Sequence, residues 1–361
     1  MKRVALGRFA LTFTIAAFLG GCGTSQPPTS APGANNMLRS NEPSSILRDV
    51  TLTMPHYVPA SIVADRRASW MMPEAKKSSA LIYAGVWATN DVYVLDYSTG
   101  KKVGTLTGFS EPYGQCVDAK GDVYIANFGA GNVVEYARGA MKVLNTYSTG
   151  GEPIGCSVNA KGDVAVTSFS PGEIVVFAGG NPSKSTTYTG SCSYQWGMGY
   201  DDKGNLVGVG EESTGNIVAC ALLSGSKSMT TLVGCCIGPI TIDYPGVTMW
   251  DGKHIGLGDQ EAGGTFLLGV WPSTLSGTTL SSSGEVRLTE CFSQYSSDGN
   301  LFILGKKNTP VNKKEAKVVA GPGLSCSGSG VTLWHYPGGT AFRNIKVSEG
   351  TVYGVSVSLS P

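Results

Sequence analysis

Short runs of apolar and polar residues in alternation recur along the chain, and they come in sets of four. QCVDA (115–119) is followed by DVYIANF (122–128), NVVEYA (132–137) and KVLNTY (142–147). The same order returns as MGYDD, NLVGV, NIVACAL and SMTTLV, and in part as SQYSS, NLFIL and VTLWHY. EIVVFA, STTYTG and TFLLGVW fill further third and fourth places. A period of two, rich in β-branched and aromatic residues and bounded by turn formers, predicts strands. Helical periodicity is almost absent.

The turns set the repeat length. AKGD at Gly121, AKGD at Gly162, DKGN at Gly204, WDGK at Gly252 and SDGN at Gly299 are spaced by 41, 42, 48 and 47 residues. Gly beside Asp or Asn between two strand-like runs predicts a tight hairpin, because these residues tolerate positive φ. Four short antiparallel strands per unit, at this period, predict a β-propeller. The first unit, 79–108, has its second, third and fourth strands but no first. The chain ends in SEGTVYGVSVSLSP, which is patterned like the first-strand segment SEPYGQCVDAK. Five turns and one cut turn predict six blades, with Tyr353 to Leu359 completing blade one and removing an exposed sheet edge.

Pro112, Gly114, Val117-Asp118, Gly121-Asp122, Val123 to Ala126 and Asn132 to Val134 resemble the NHL repeat. They also resemble the wider group of six-bladed propellers that includes YWTD and gluconolactonase-like proteins. Asn127 stands where the NHL pattern carries Asp, and Ser168 takes that place one unit on. The resemblance implies the fold over 79–361. It says little of function, since propellers host enzymes, receptors and scaffolds.

The N-terminus changes the picture from fold to address. Lys2, Arg3 and Arg8 precede an 11-residue apolar run, Phe9 to Leu19. That is too short to span a bilayer and matches a secretory signal. Leu19-Gly20-Gly21-Cys22 resembles the lipobox of bacterial lipoproteins, which implies a signal over 1–21 and acylation of Cys22. Gly23 rather than Asp after the cysteine favours the outer over the inner membrane of a diderm cell envelope. Residues 22–50, rich in Gly, Pro, Ser, Thr and Asn, read as a flexible tether. Residues 51–78, with Trp70, Met71 and Met72, read as a segment packed on the domain. Removing the signal leaves 24 Lys and Arg against 26 Asp and Glu, a net charge of about −2. With no basic stripe, nucleic acid is not an expected partner. The expectation is a monomer, held to a membrane only through the lipid on Cys22.

Candidate chemistry gathers at one end of the expected blades. Glu111 and Glu152 occupy equivalent places before two first strands, where Tyr194 stands in the next unit and Glu349 is a looser match. Tyr113 and Trp196 align two units apart, with Trp87, Phe128 and Glu211 expected near the same mouth. These residues, with Asn127, make a candidate site for an extracytoplasmic protein, peptide or glycan. The alternative is structural: Glu-Pro favours extended backbone at a strand entry, and aromatics fill the wedge between blades. The gluconolactonase-like resemblance implies a second function, a metal-dependent lactonase holding a cation such as Ca²⁺ through Glu111, Glu152, Asn127 and Glu290. Three histidines in separate places, no GxSxG and no CxxC disfavour histidine, serine-triad and thioredoxin-type chemistry. Of the eight cysteines besides Cys22, Cys291 with Cys326 and Cys192 with Cys235 or Cys236 are the expected disulfides. Cys116 and Cys156, one register apart on neighbouring strands, are expected to face opposite ways. The stretch 306–330 is expected to be a long surface loop at the same rim.

Overall fold

The computed structural model describes residues 68–236, 238–242, 245–259, 268–288, 302–303, 318–325 and 328–360. The expected signal, the tether with Cys22, the Gly299 turn, Glu290, Cys291 and Cys326 lie outside these residues. Among the described residues, no helix is long and apolar enough to cross a membrane.

Four of the expected hairpin turns form, and two devices make each. Gly121, Gly162, Gly204 and Gly252 take φ of +86°, +82°, +81° and +88°, where glycine has no steric penalty. Just ahead of each, an Asp or Asn side chain accepts two backbone N–H groups. Asp118 Oδ1 takes those of Lys120 and Asp122, both at 2.9 Å. Asn159 Oδ1 does the same for Lys161 and Asp163, and Asp201 Oδ1 for Lys203 and Asn205. Asp251 Oδ1 takes Lys253 and His254.

These turns join the strands into antiparallel sheets. The second sheet orders Pro112–Val117, Val123–Asn127, Asn132–Tyr136 and Val143–Ser148. The third runs from Pro153–Val158 to Ser185–Tyr188, and the fourth from Tyr194–Tyr200 to Thr230–Thr231. The fifth begins with Pro245–Trp250 and Ile255–Asp259. The sixth holds Phe302–Ile303, Val318–Ser325, Gly328–His335 and Ala341–Lys346. The first sheet is built from both ends of the domain. Ala80–Val86, Asp91–Asp96 and Lys102–Leu106 pair in order, and Trp70–Met71 pairs outside them. On the inner side Val352–Leu359 pairs with Ala80–Val86, Tyr83 opposite Ser356.

Consecutive sheets stack through buried aliphatic side chains. Leu81, Tyr83 and Val94 of the first meet Val123, Ile125 and Tyr136 of the second. Val207 and Ala221 of the fourth meet Ile255 and Leu257 of the fifth. Val331, Leu333 and Ile345 of the sixth meet Ile82, Val355 and Val357 of the first. Each fully buried Val, Leu or Ile contributes roughly 1.5–3 kcal/mol. The first strands also touch in sequence: Val352–Leu359 lies against Pro112–Val117, that against Pro153–Val158, then Tyr194–Tyr200 and Pro245–Trp250. Phe302–Ile303 touches both Pro245–Trp250 and Val352–Leu359. Gly354 permits the approach at the seam, since a β-carbon there would overlap the Tyr113 carbonyl.

Two expectations are corrected. The 306–330 stretch is not all loop: Val318–Ser325 is a strand that pairs residue for residue with Gly328–His335. Its Gly, Pro and Ser content masks the alternation. The cysteines also pair differently. Cys116 bonds Cys156, with Cα atoms 5.5 Å apart. Alternation of faces governs strands within one sheet, whereas these two belong to different sheets that face each other. Cys192, in the connection that enters the fourth sheet, bonds Cys220 of that sheet's third strand, with Cα atoms 6.4 Å apart. Cys235 and Cys236 bond each other and so are not open to Cys192.

Candidate functional site

One irregularity positions the candidate residues. Near the start of the first strand in five sheets, the ladder shifts register. The shifts fall between Pro112 and Gln115, Gln195 and Met198, and Pro245 and Thr248, with equivalents at Pro153 and Val352. A bulge of this kind bends the strand and re-aims a side chain. In three of the five the shift holds an aromatic residue: Tyr113, Trp196 and Tyr353.

Two aromatic groups result, both at the end of the strands remote from the hairpin turns. Trp87 stands 5.9 Å from Tyr113, 6.0 Å from Phe128 and 5.0 Å from Tyr353, centroid to centroid. Tyr113 completes the group at 5.9 Å from Phe128 and 5.7 Å from Tyr353. Phe169 meets Tyr194 and Trp196, each at 5.5 Å. Tyr113 and Trp196 are buried at 4% and 5% exposure and serve mainly as packing. Trp87, Phe128, Tyr353 and Tyr194 are half-buried.

The carboxylates border these rings. The Glu111 carbonyl accepts the Phe128 N–H at 3.1 Å. Its carboxylate leans over the next residue: a β-carbon built on Gly129 would lie 3.0 Å from Glu111 Oε2. Glu111 is one of three described non-glycine residues at positive φ, +56°. Its N–H is held by Asn90 Oδ1 at 2.8 Å. Burial, and then the charge of Glu152, push the Glu111 carboxyl above the usual range. Burial does the same to Glu152 and Glu211. Glu152 is exposed, Glu111 half-buried and Glu211 buried.

Asn127 is buried and structural: its Oδ1 accepts the Ser110 N–H at 2.6 Å and pins the loop that carries Glu111. Ser168, at the equivalent place, is too short for this. Its hydroxyl is fully buried and has no hydrogen-bond partner. It lies directly under the loop that carries Glu152, 2.9 Å from where a Gly151 β-carbon would stand. Sequence reasoning missed Tyr353, Phe169 and Ser168. Phe169 was readable, since Phe128 and Phe169 each lie seven residues beyond a turn glycine. Tyr353 becomes a member only through the strand pairing of the C-terminus.

A cavity of about 1510 Å³ opens at the opposite end, among the hairpin turns. The Cys116–Cys156 bridge, Met198, Thr248 and Trp250 line it, with Lys161, Lys203 and Lys253 at its edge. Its Asp118, Asn159, Asp201 and Asp251 are engaged by turn N–H groups. The expected carboxylates take no part in it. Among the described residues, no three His, Cys, Asp or Glu side chains stand together as a metal would require.

No family model and no curated protein matches the chain. A solved nidogen/laminin complex contains a chain similar to it, with a TM-score of 0.54 at 11% identity. The match covers 78% of this chain and 99% of that one. At this identity the likeness shows the fold alone, and the fold is an all-β propeller.

Proposed function

We propose that this chain is an exported, lipid-anchored binding module whose working surface is the rim carrying Glu111, Glu152 and the Trp87–Tyr113–Phe128–Tyr353 group. The ring has six NHL-like blades, and the C-terminal strand closes it. Among the described residues, six sheets of four or five strands, first strands that touch in succession, and the pairing of Val352–Leu359 with Ala80–Val86 support that architecture. The Cys22 sequence and the apolar run before it support the anchor and the envelope address.

The observation that carries the binding function is the meeting of half-buried aromatic rings with carboxylates that have no cationic partner among the described residues. Packing alone does not account for rings left half-buried, and stability alone disfavours carboxyls held above their usual pKa. In the cavity at the other end, by contrast, Asp118, Asn159, Asp201 and Asp251 serve the turns.

Panning a random peptide display library and a glycan array against the full chain tests this function. Binders should be lost on a Trp87→Ala/Phe128→Ala variant and kept on Trp250→Ala, which alters the opposite mouth. Binders that depend on Trp250 and ignore the double variant would contradict it.

A further inference from the structure

Cys235 and Cys236 bond each other, with Cα atoms 3.5 Å apart. They lie on a short segment between the fourth and fifth sheets. Val233 fastens its near end: its N–H reaches the Thr278 carbonyl and its own carbonyl accepts the Leu280 N–H, both at 2.8 Å. Cys235–Cys236 then pairs in parallel with Ile240–Thr241. Cys236 and Ile240 sink into the cluster of Val207, Leu257 and Leu280 that the two sheets share. Cys236 stands at φ +103°, whereas Asn90 and Glu111, the other described non-glycine residues at positive φ, stand at +58° and +56°. Only glycine adopts a backbone near +103° freely.

We infer that Cys235–Cys236 is a reducible thiol–disulfide site, opened by a dithiol reductant ahead of the other described bridges. Its opening releases residues 232–236 from between the fourth and fifth sheets while the sheets themselves persist. A thiolate of the reductant attacks Cys235 Sγ; the Sγ–Sγ bond breaks and Cys236 leaves as a thiolate. The reductant's second thiolate then attacks the mixed disulfide, frees Cys235 and closes the reductant's own disulfide. Two electrons and two protons pass to the cysteine pair, and the reductant is oxidised. Three properties set this bond apart. A disulfide steadies a fold by constraining the unfolded chain, the more so the longer the loop it closes. Cys116–Cys156 and Cys192–Cys220 are separated by 40 and 28 residues in sequence, Cys235–Cys236 by one. Folding therefore protects the first two bonds against reduction and gives the third little protection. Opening also lets Cys236 leave its disfavoured backbone, a gain the other bridges lack, since none of their cysteines has a positive φ. Access agrees: Cys235 is half-buried, whereas Cys192 and Cys220 are 2% and 1% exposed. Cys156 is half-buried too, which makes its bridge the stricter comparison.

The full chain, equilibrated under native conditions in mixtures of reduced and oxidised dithiothreitol, then acid-quenched, alkylated and mapped by peptide mass, reports each bond separately. Cys235–Cys236 should reach half reduction at a reduced-to-oxidised ratio at least tenfold below that of Cys116–Cys156 and of Cys192–Cys220. At a ratio that opens it alone, amide exchange of Leu232–Cys236 should quicken at least tenfold, while Leu206–Glu211 and Ile255–Asp259 keep their rates. Removing the reductant should restore the parental exchange. Midpoints that coincide, or a vicinal bond that opens last, would overturn the site. So would an unreduced digest in which Cys235 or Cys236 is bonded to any other cysteine. Reduction that leaves exchange of 232–236 unchanged would overturn the release of the segment. A Cys235→Ser/Cys236→Ser variant, without reductant, should exchange over 232–236 as the reduced chain does. Parental exchange in that variant would sever the bond from the segment, and a variant that fails to fold would contradict the persistence of the sheets.

Discussion

Glu111 combines a left-handed backbone with a carboxyl that burial and Glu152 hold in disfavour of ionisation. Both features cost stability, and each can be removed separately. Glu111→Gly and Glu111→Ala both remove the carboxyl, but only glycine relieves the backbone, so the Gly variant should be more stable than the Ala variant by about 1 kcal/mol in urea unfolding. Glu111→Gln removes only the charge. Because the folded-state pKa lies above the unfolded one, the cost of ionisation is fully present above the folded pKa. It vanishes as pH falls through that value towards the unfolded pKa. The Gln variant should therefore melt higher than the parent at pH 7, and the two should converge near pH 4. A constant difference across that range would refute the electrostatic cause. The sequence marked Glu111 and Glu152 by their repetition alone. It did not show that Asn127 and Ser168, at one aligned position, would differ by the length of a side chain, one bonded and the other open.

At the scale of the strand pair, the hairpins depend on the side chain ahead of the glycine as much as on the glycine. Asp201 accepts two backbone N–H groups and the Asn205 amide, and is itself 8% exposed. Asp201→Ala leaves those donors without their acceptor and should cost roughly 2 kcal/mol in urea unfolding. Asp201→Asn should cost much less, because Asn159 does the same work one sheet earlier. Equal losses would place the stabilisation in charge rather than in turn geometry. These turns were legible because Gly with Asp or Asn is local chemistry. The bulges were not, since a register shift depends on what the partner strand offers. The disulfides failed for a related reason: Cys116 and Cys156 lie on strands of different sheets, and alternation along one chain does not fix how two sheets face each other. Val318–Ser325 was hidden because its partner, Gly328–His335, is also rich in glycine and serine.

Over the whole molecule, the two ends of the domain meet where the candidate site lies. Tyr353 arrives on the last strand, Trp87 follows the strand it pairs with, and Tyr113 and Phe128 come from the neighbouring sheet. The seam thus builds both the first sheet and the aromatic rim. The order of strands and the pairing of Val352–Leu359 with Ala80–Val86 were legible from the missing first run at residue 79 and from the like patterning of SEGTVYGVSVSLSP and SEPYGQCVDAK. The proposed closure predicts that the last strand is as stable as the interior of the ring. Amide hydrogen exchange on the full chain, followed by residue, measures this without altering a side chain. Val352–Leu359 and Ala80–Val86 should exchange together, in the slowest class and with the dependence on denaturant of global unfolding. Exchange of Val352–Leu359 ahead of Ala80–Val86, at the rate of a fraying terminus, would contradict the closed ring and the rim assembled on it.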